Sequence, residues 1–443
     1  MKYHKFSKKM YRLAAWLWNR SFKSVIVELA AIVLCIYFIF HFTTNYVSEI
    51  VQMSQLTSDL QQLSSSLDQH ILLQMKLYSK MKKTEMSPEK VTIPILVIAC
   101  NRPTVNRPID KLLQLRLEMM NRHSFEFPIF VSHACDDDAT EKVLRSYYNK
   151  ITVIKPKAPL ITPGQPSTGK VIEGYRHVSH HYKWALDQIF MAYNYSTAII
   201  VEDDLDLAPD FLNYFISMYN ILLQDNTLFC VSAFNDNGLL QLIDIKRPDL
   251  LYRTDFFPGL GWMLLRNFWL EIREGWPDVY WDEYMRKPYV RKGRACIRPE
   301  ISRSVTFGRI GISQGQYFDS HLRHIKLSSV KINFQHINLS YLKESVYRNQ
   351  FHRSVYQDSI EVSIQSYMNN ANSIPNNSKS SIRITYRARE EFETIAKHLK
   401  MMYDFKCGVS RNAYMGVVPV YVNGHRLYIA PPSNWSGYIE SWV

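Results

Sequence analysis

The sequence predicts an α/β protein: a wound, mostly parallel sheet with a smaller C-terminal α+β unit, carried behind an N-terminal membrane anchor and a helical stem. Three observations predict it. From Thr92 onward, apolar β-branched runs alternate with helix-patterned runs. A nineteen-residue apolar stretch stands near the N-terminus behind a basic flank. The chain closes on β-patterned runs around a hairpin signal at Asn423-Gly424.

The anchor comes first. Residues 24–42, SVIVELAAIVLCIYFIFHF, hold one acid, Glu28, about a turn from the start. Nineteen helical residues span roughly 28 Å, close to a bilayer core, and suit the thinner membranes of the early secretory pathway. The flank carries Lys2, Lys5, Lys8, Lys9, Arg12, Arg20 and Lys23 and no acid. Positive flanks stay in the cytosol, so 1–23 reads as a cytosolic tail and 43–443 as lumenal. A cleaved signal peptide is the competing reading, but no small-residue cleavage site follows the run.

Residues 43–92 read as a stem. Met53, Leu56, Leu60, Leu63, Leu67, Leu77 and Met81 recur at alternating steps of three and four, with His70 and Gln74 in register. Pairing with a second copy as a coiled coil, giving a homodimer, and a lone helix or tether both stay open. Beyond it, TIPILVIAC, FPIFVS and ITVIK read as strands, with RPIDKLLQLR and ATEKVLRSYY as the helices between them. The Pro/Gly/Ser-rich segment 158–170 reads as a mobile loop. Then come the helix HVSHHYKWALDQIFMAY, the strand STAIIVEDD and the helix APDFLNYFISMYNILL. Residues 369–381 read as an exposed loop before the small C-terminal unit.

Size and charge narrow the function. A chain of 443 residues exceeds one ordinary core; the folded part divides into 93–318 and 319–443. The net charge of +13 is concentrated in the tail, and no basic stripe interleaves with aromatics, so nucleic acid is not expected as a partner. A mildly basic body suits an anionic substrate such as a nucleotide diphosphate. Five lumenal cysteines, Cys100, Cys135, Cys230, Cys296 and Cys407, point to two disulfides and one free thiol in an oxidising compartment. The sequons at Asn194, Asn338, Asn376 and Asn434 fit that compartment.

Chemistry concentrates at AIIVEDDLDLAPDF. A buried strand ends in Glu202, Asp203 and Asp204, where α/β sheets bind ligands. Alternation sends Glu202 and Asp204 to one face and Asp203 to the other. Clustered acids at a strand end suit a hard divalent ion that also meets diphosphate oxygens. The bland alternative is an acidic turn capping the next helix through Asp206 and Asp210. A second segment, WPDVYWDEYMR, sets Asp278, Asp282 and Glu283 among aromatics. There a carboxylate with a raised pKa serves as a general base on a sugar hydroxyl, and aromatic faces stack on sugar rings. Two glycine-bearing stretches, 251–264 and 304–321, offer backbone amides and Ser313 to a phosphate. His177, His180 and His181 do not share one helix face, so they do not form a zinc site.

Together these segments resemble one family, alpha-1,3-mannosyl-glycoprotein 2-beta-N-acetylglucosaminyltransferase (N-acetylglucosaminyltransferase I). The stretches that carry the resemblance are PILVIACNRPTV, HHYKWALDQIF, IIVEDDLDLAPDFLNYF, VSAFNDNG, LYRTDFFPGLGWML, WPDVYWDEYMR, RKGRACIRPEISRSVTFGRIGISQGQYFDSHL and APPSNWSGYIESWV. They spread over 93–443. The resemblance implies a GT-A (Rossmann-like) fold, UDP-GlcNAc as donor, Mn²⁺ as cofactor and a Golgi address as a type II membrane protein. It implies transfer to the 2-hydroxyl of an α1,3-linked mannose on a high-mannose N-glycan, with inversion. By its motifs Asp204 would be the direct Mn²⁺ ligand and Asp282 the general base. Glu202 and Asp203 would hold the donor's sugars, Arg102 and His181 would contact UDP, Ser313 the diphosphate, and Trp281 would line the acceptor. It also pairs Cys100 with Cys135 and Cys230 with Cys296.

The chain departs from the family pattern at two places. Ala134 stands where the family has an Asp that binds uracil; Asp136, two residues on, is the candidate substitute. Asn101 stands where an Asp is common. Two further readings follow from these features. One is an O-mannose-directed β1,2-GlcNAc-transferase, though that branch usually carries an extra lectin-like domain. The other is an inactive carbohydrate-binding homologue, favoured by Ala134 alone. A metal-dependent phosphoesterase would need a second His/Asp cluster that the sequence lacks.

Overall fold

The computed structural model describes residues 10, 12, 22–83, 90–120, 125–161, 169–369 and 381–442. They fall into two compact units, Met1–Pro88 and Glu89–Val443. Most of the basic tail, residues 162–168 of the Pro/Gly/Ser-rich loop, and 370–380 with the Asn376 sequon lie outside the described residues.

In the first unit one helix, α1 (Phe22–Lys83), runs unbroken through both anchor and stem. Its 62 residues extend roughly 93 Å. The sequence reading separated a span from a shorter amphipathic helix; no Gly or Pro interrupts the join, and the backbone continues. Within it Ile26–Thr43 is long and apolar enough to cross a membrane, and its residues are exposed apart from the half-buried Glu28. Thr43, closing that window, returns its hydroxyl to the carbonyls of Ile39 and Phe40 at 2.8 and 3.0 Å. A hydroxyl satisfied within its own helix tolerates an apolar surround. Met53, Leu56, Leu60, Leu63 and Leu67 are all exposed.

The second unit is built on an eight-stranded sheet. Its strands are β1 (Ile95–Ala99), β2 (Ile129–His133), β3 (Thr152–Ile154), β4 (Thr197–Glu202), β6 (Leu228–Ser232), β7 (Leu251–Thr254), β8 (Trp262–Leu265) and β9 (Ala295–Pro299). They lie in the order β3-β2-β1-β4-β8-β6-β9-β7. The run β3-β2-β1-β4 is parallel, whereas β8 and β7 are antiparallel to their neighbours. The sheet is thus parallel in its first half and mixed in its second. A separate ribbon pairs β5 (Leu205–Leu207) with β10 (Ser304–Thr306), antiparallel.

Helices cover both faces, which is why the strands read as continuous apolar runs. Along β4, Ile199 and Val201 join a core with α2 (Asn106–Met120) and α5 (Phe211–Gln224). Ala198 and Ile200 face α4 (Lys170–Asp187), α6 (Arg266–Ile272) and α7 (Trp281–Arg286). Between β2 and β3, α3 (Asp138–Arg145) starts at Asp137, whose carboxylate caps the Thr140 N–H at 2.8 Å. Disulfides join Cys100 to Cys135 and Cys230 to Cys296. Cys407 remains free.

The C-terminal sheet has the order β11-β12-β14-β13, from β11 (Ser359–Glu361), β12 (Ser381–Thr385), β13 (Val418–Val422) and β14 (His425–Ala430). The hairpin turns at Asn423 and Gly424, both at positive φ (50° and 86°), as a two-residue I′ turn needs. Its core includes Phe234, Leu239, Leu242 and Phe256 from the larger sheet's connections. The segments read as 93–318 and 319–443 therefore share packing within one compact unit.

Candidate active site

The chain runs from β1 out to β2 and β3, then returns to place β4 on the other side of β1. Ligands in open α/β sheets bind at the carboxyl ends of strands where the order reverses. Two segments leave the sheet there, Cys100-Asn101-Arg102 and Glu202-Asp203-Asp204. Ile98 pairs with Glu202, and the Asp203 N–H donates to the Ile98 carbonyl at 3.1 Å.

The carboxylates are tied down from three directions. Asp203 accepts from the Cys100 N–H at 3.1 Å and from Arg102 Nε at 2.9 Å. The second arm of Arg102 stands 3.5 Å from Asp204 and donates to the Ile310 carbonyl at 3.0 Å. From α4, the Tyr182 hydroxyl donates to Glu202 at 2.7 Å. Burial, then the charge of Asp204, pushes Glu202 up to about 8, with the Tyr182 hydrogen bond opposing. Burial lifts Asp203 to about 6 against the pull of Arg102, and moves Asp204 upward as well. The Arg102 guanidinium thus reaches two of the three carboxyls, Asp203 and Asp204, and Asp204 Oδ1 is buried with no hydrogen-bond partner.

These residues fit a hard divalent cation, whose charge would offset the excess of carboxyls and whose coordination would use Asp204 Oδ1. Among the described residues, no group of three or more His, Cys, Asp or Glu is arranged to hold a metal by itself. Further oxygens would have to come from a substrate and water, as is usual for magnesium-like ions.

The β5–β10 ribbon folds residues 307–317 back over the acids. Phe307 donates its N–H to the Asp204 carbonyl at 2.9 Å. A Cβ on Gly308 would lie 1.9 Å from Asp204 Oδ2, so only glycine leaves room for that carboxylate. Ser313 is exposed on the same arch.

Asp282 sits in the first turn of α7 and accepts from Arg286, one turn later, at 2.7 Å. Burial alone would raise its carboxyl. The Arg286 guanidinium and the N–H groups of Asp282 and Glu283 outweigh burial and hold it below the ordinary range. The raised value expected from the aromatic setting is therefore reversed. The i, i+4 partner was legible in the sequence, but its weight was not. Asp282 keeps 41% of its side chain open to solvent, enough to meet a hydroxyl. Its charge contributes to the upward push on Glu202, so α7 and the strand end share one electrostatic cluster.

Other expectations change. Trp281 is buried, its ring stacked on Tyr182 (centroids 4.1 Å) and on Trp276 (5.8 Å). With its faces occupied, it cannot offer one to a sugar; it positions Tyr182 and the start of α7 instead. The exposed aromatic of that segment is Tyr280, held at φ 53° and packed on Tyr175 at 4.7 Å. His181 is buried, bonded to Ser132 at 2.7 Å, and pushed down to about 4 by burial. Asp136 is 99% exposed and paired with Lys155 at 3.3 Å, so it does not turn inward to replace the acid missing at Ala134. Sequence reasoning missed Tyr182, whose hydroxyl carries no mark of its partner, and it read Gly308 only as part of a glycine-bearing stretch, not as the residue that makes room for Asp204.

Fold and site together define a wound α/β protein with an acidic, cation-suited cleft at its switch point. The chain belongs to the GNT-I family, whose model matches residues 40–442. It is 35% identical over 346 residues, 77% of this chain and 74% of the relative, to alpha-1,3-mannosyl-glycoprotein 2-beta-N-acetylglucosaminyltransferase of Arabidopsis thaliana. Among solved structures, S. aureus TarS 1-349 overlaps 47% of this chain and 58% of its own at 11% identity (TM-score 0.33). The mannosyltransferase PcManGT from Pyrobaculum calidifontis, in complex with GDP-Man and Mn²⁺, overlaps 51% and 61% at 14% identity (TM-score 0.29). Likeness this loose says nothing about function.

Proposed function

We propose that this chain is a cation-dependent, inverting glycosyltransferase of GT-A type. In this reading it moves GlcNAc from UDP-GlcNAc to the 2-hydroxyl of an α1,3-linked mannose on N-glycans. The observation that carries the reading is the pairing of a charge-deficient acid cluster at 202–204 with a separately ionised Asp282. Family membership and the relative's name support the sugar and the acceptor class.

Each residue then has a defined task. Asp204, through its unpartnered oxygen, would hold Mn²⁺, and Glu202 and Asp203 would orient the donor's sugars. Mn²⁺, when bound, neutralises the charge that grows on the leaving diphosphate. Arg102 and the Ser313 arch meet UDP, whereas His181, buried against Ser132, supports the strand behind them. Asp282, kept ionised by Arg286, accepts the proton of the mannose 2-hydroxyl. The mannose oxygen bonds to the anomeric carbon as the bond to phosphate breaks on the opposite side, and UDP departs. The apolar part of α1 fits a signal-anchor, and in this reading, by family analogy, the catalytic unit works in the Golgi lumen.

The test uses the full-length protein in detergent with UDP-GlcNAc, Mn²⁺ and a five-mannose N-glycan. The reading expects one GlcNAc added in β1,2 linkage. Transfer only to an O-mannosyl peptide would move the protein to the related O-mannose activity. Transfer to neither sinks the enzyme reading and leaves the inactive homologue.

A further inference from the structure

The outer face of α4 carries a groove of about 390 Å³ that the reaction does not use. His180, Lys183, Trp184 and Asp187 recur along the helix at three- and four-residue steps and form one wall. Trp276 and Asp278 form the other, with Leu160 closing one end.

The walls are fixed rather than loose. Trp276 donates its indole N–H to the Ser179 carbonyl at 2.9 Å, and the Ser179 hydroxyl donates to the Pro277 carbonyl at 2.6 Å. His180 bridges the Leu160 carbonyl (3.2 Å) and Asp278 (2.7 Å). Asp278 also accepts from Arg176 at 2.7 Å. Asp187 accepts from Trp269 Nε1 and Arg273 Nε, each at 3.0 Å. Both carboxylates are thus already oriented by cations and retain lone pairs for further donors. Their charges are offset by Arg273 and Arg176, which leaves Lys183 as a lone ammonium donor on the wall, too little positive charge to hold a polyanion such as a nucleotide or phosphopeptide. Indole surface beside preset acceptors suits a neutral, hydroxyl-rich ring: its C–H face meets the aromatic and its hydroxyls donate to carboxylate.

We infer that this groove is a second carbohydrate subsite, binding a mannose-type unit of the acceptor remote from the reacting one. Its position supports that assignment. Asp278 lies four residues before Asp282 on the same segment, and the exposed Tyr280 sits between them. The inference rests on the proposed acceptor class but not on catalysis.

The experiment therefore measures binding without donor. A branched mannose oligosaccharide and methyl α-mannoside are titrated into full-length protein in detergent, unmutated and as Trp184→Ala, Trp184→Phe and Lys183→Glu. Loss of one aromatic contact predicts about ten-fold weaker oligosaccharide binding for Trp184→Ala. Trp184→Phe should recover most of it, and methyl mannoside should not discriminate the variants. Lys183→Glu, a polar-for-polar change at a half-buried position, replaces the wall's ammonium donor with a further acceptor and should weaken the oligosaccharide selectively. Equal loss for both sugars, or no loss for either variant, overturns the subsite. If oligosaccharide binding shows the predicted pattern while transfer is absent, the transferase reading fails and the subsite stands.

Discussion

Gly308 shows how narrowly single residues set this site. Adding one methyl group there would place it 1.9 Å from Asp204 Oδ2 and 2.9 Å from Asp204 Cβ, inside any allowed contact. Gly308→Ala should displace the carboxylate and cost activity at least ten-fold. The thermal midpoint should move by only a few degrees, since the loop lies outside the core. Activity assays beside a melting curve check this; an active Gly308→Ala would show that Asp204 need not sit where it does. His181 gives a second residue-scale prediction. Its folded value of about 4 lies below the ordinary 6.5, so the unfolded chain takes up the proton first. The stabilisation is complete above pH 6.5 and is lost as pH falls toward 4, amounting to about 3 kcal/mol. Denaturant titrations at pH 7 and pH 4 on the unmutated protein and His181→Gln should show a smaller loss in the mutant. An equal loss in both would assign the acid sensitivity elsewhere.

Elements were more legible than the contacts between them. The strands at 95–99, 129–133 and 197–202 announce themselves because both faces are covered, so alternation disappears and β-branched residues run together. The hairpin at Asn423-Gly424 is readable because only such residues take two successive positive φ values cheaply. The antiparallel β8 was not readable: WMLL carries no mark of direction, which is set by the chain path around it. The fate of Trp281 was equally hidden, since an aromatic beside an acid looks the same whether it faces a sugar or a core. In α1, the unbroken helix presents Met53, Leu56, Leu60, Leu63 and Leu67 as an exposed seam with the spacing of a coiled coil. Two copies should therefore pair through it. Leu60→Asp should halve the detergent-corrected mass measured by light scattering; an unchanged mass, or a monomer before mutation, contradicts the pairing.

At the scale of the whole molecule, the sheet order explains why the chemistry gathers where it does. The reversal between β1 and β4 opens the crevice, and the acid-tipped strand fills it. The ribbon of β5 and β10 lays the glycine arch over Asp204, while the opposite face delivers Tyr182 and α7. The result separates two kinds of carboxyl. Those at 202–204 are pushed upward by burial and share a single guanidinium, Arg102, which leaves the excess of acid that a cation would offset. Asp282 is pulled downward by its own arginine, as a base that must stay ionised needs. The acids were visible in the sequence, but this division was not, because it depends on which partners the fold brings to each.

That division is the central claim, and paired binding and transfer on two variants test it most directly. Full-length Asp282→Asn should bind UDP-GlcNAc with Mn²⁺ as the unmutated protein does, yet transfer at least a hundred-fold more slowly to the five-mannose glycan. Asp204→Ala should instead lose Mn²⁺-dependent donor binding together with transfer. Undiminished transfer by Asp282→Asn, or Mn²⁺-dependent donor binding that survives Asp204→Ala, would contradict the account.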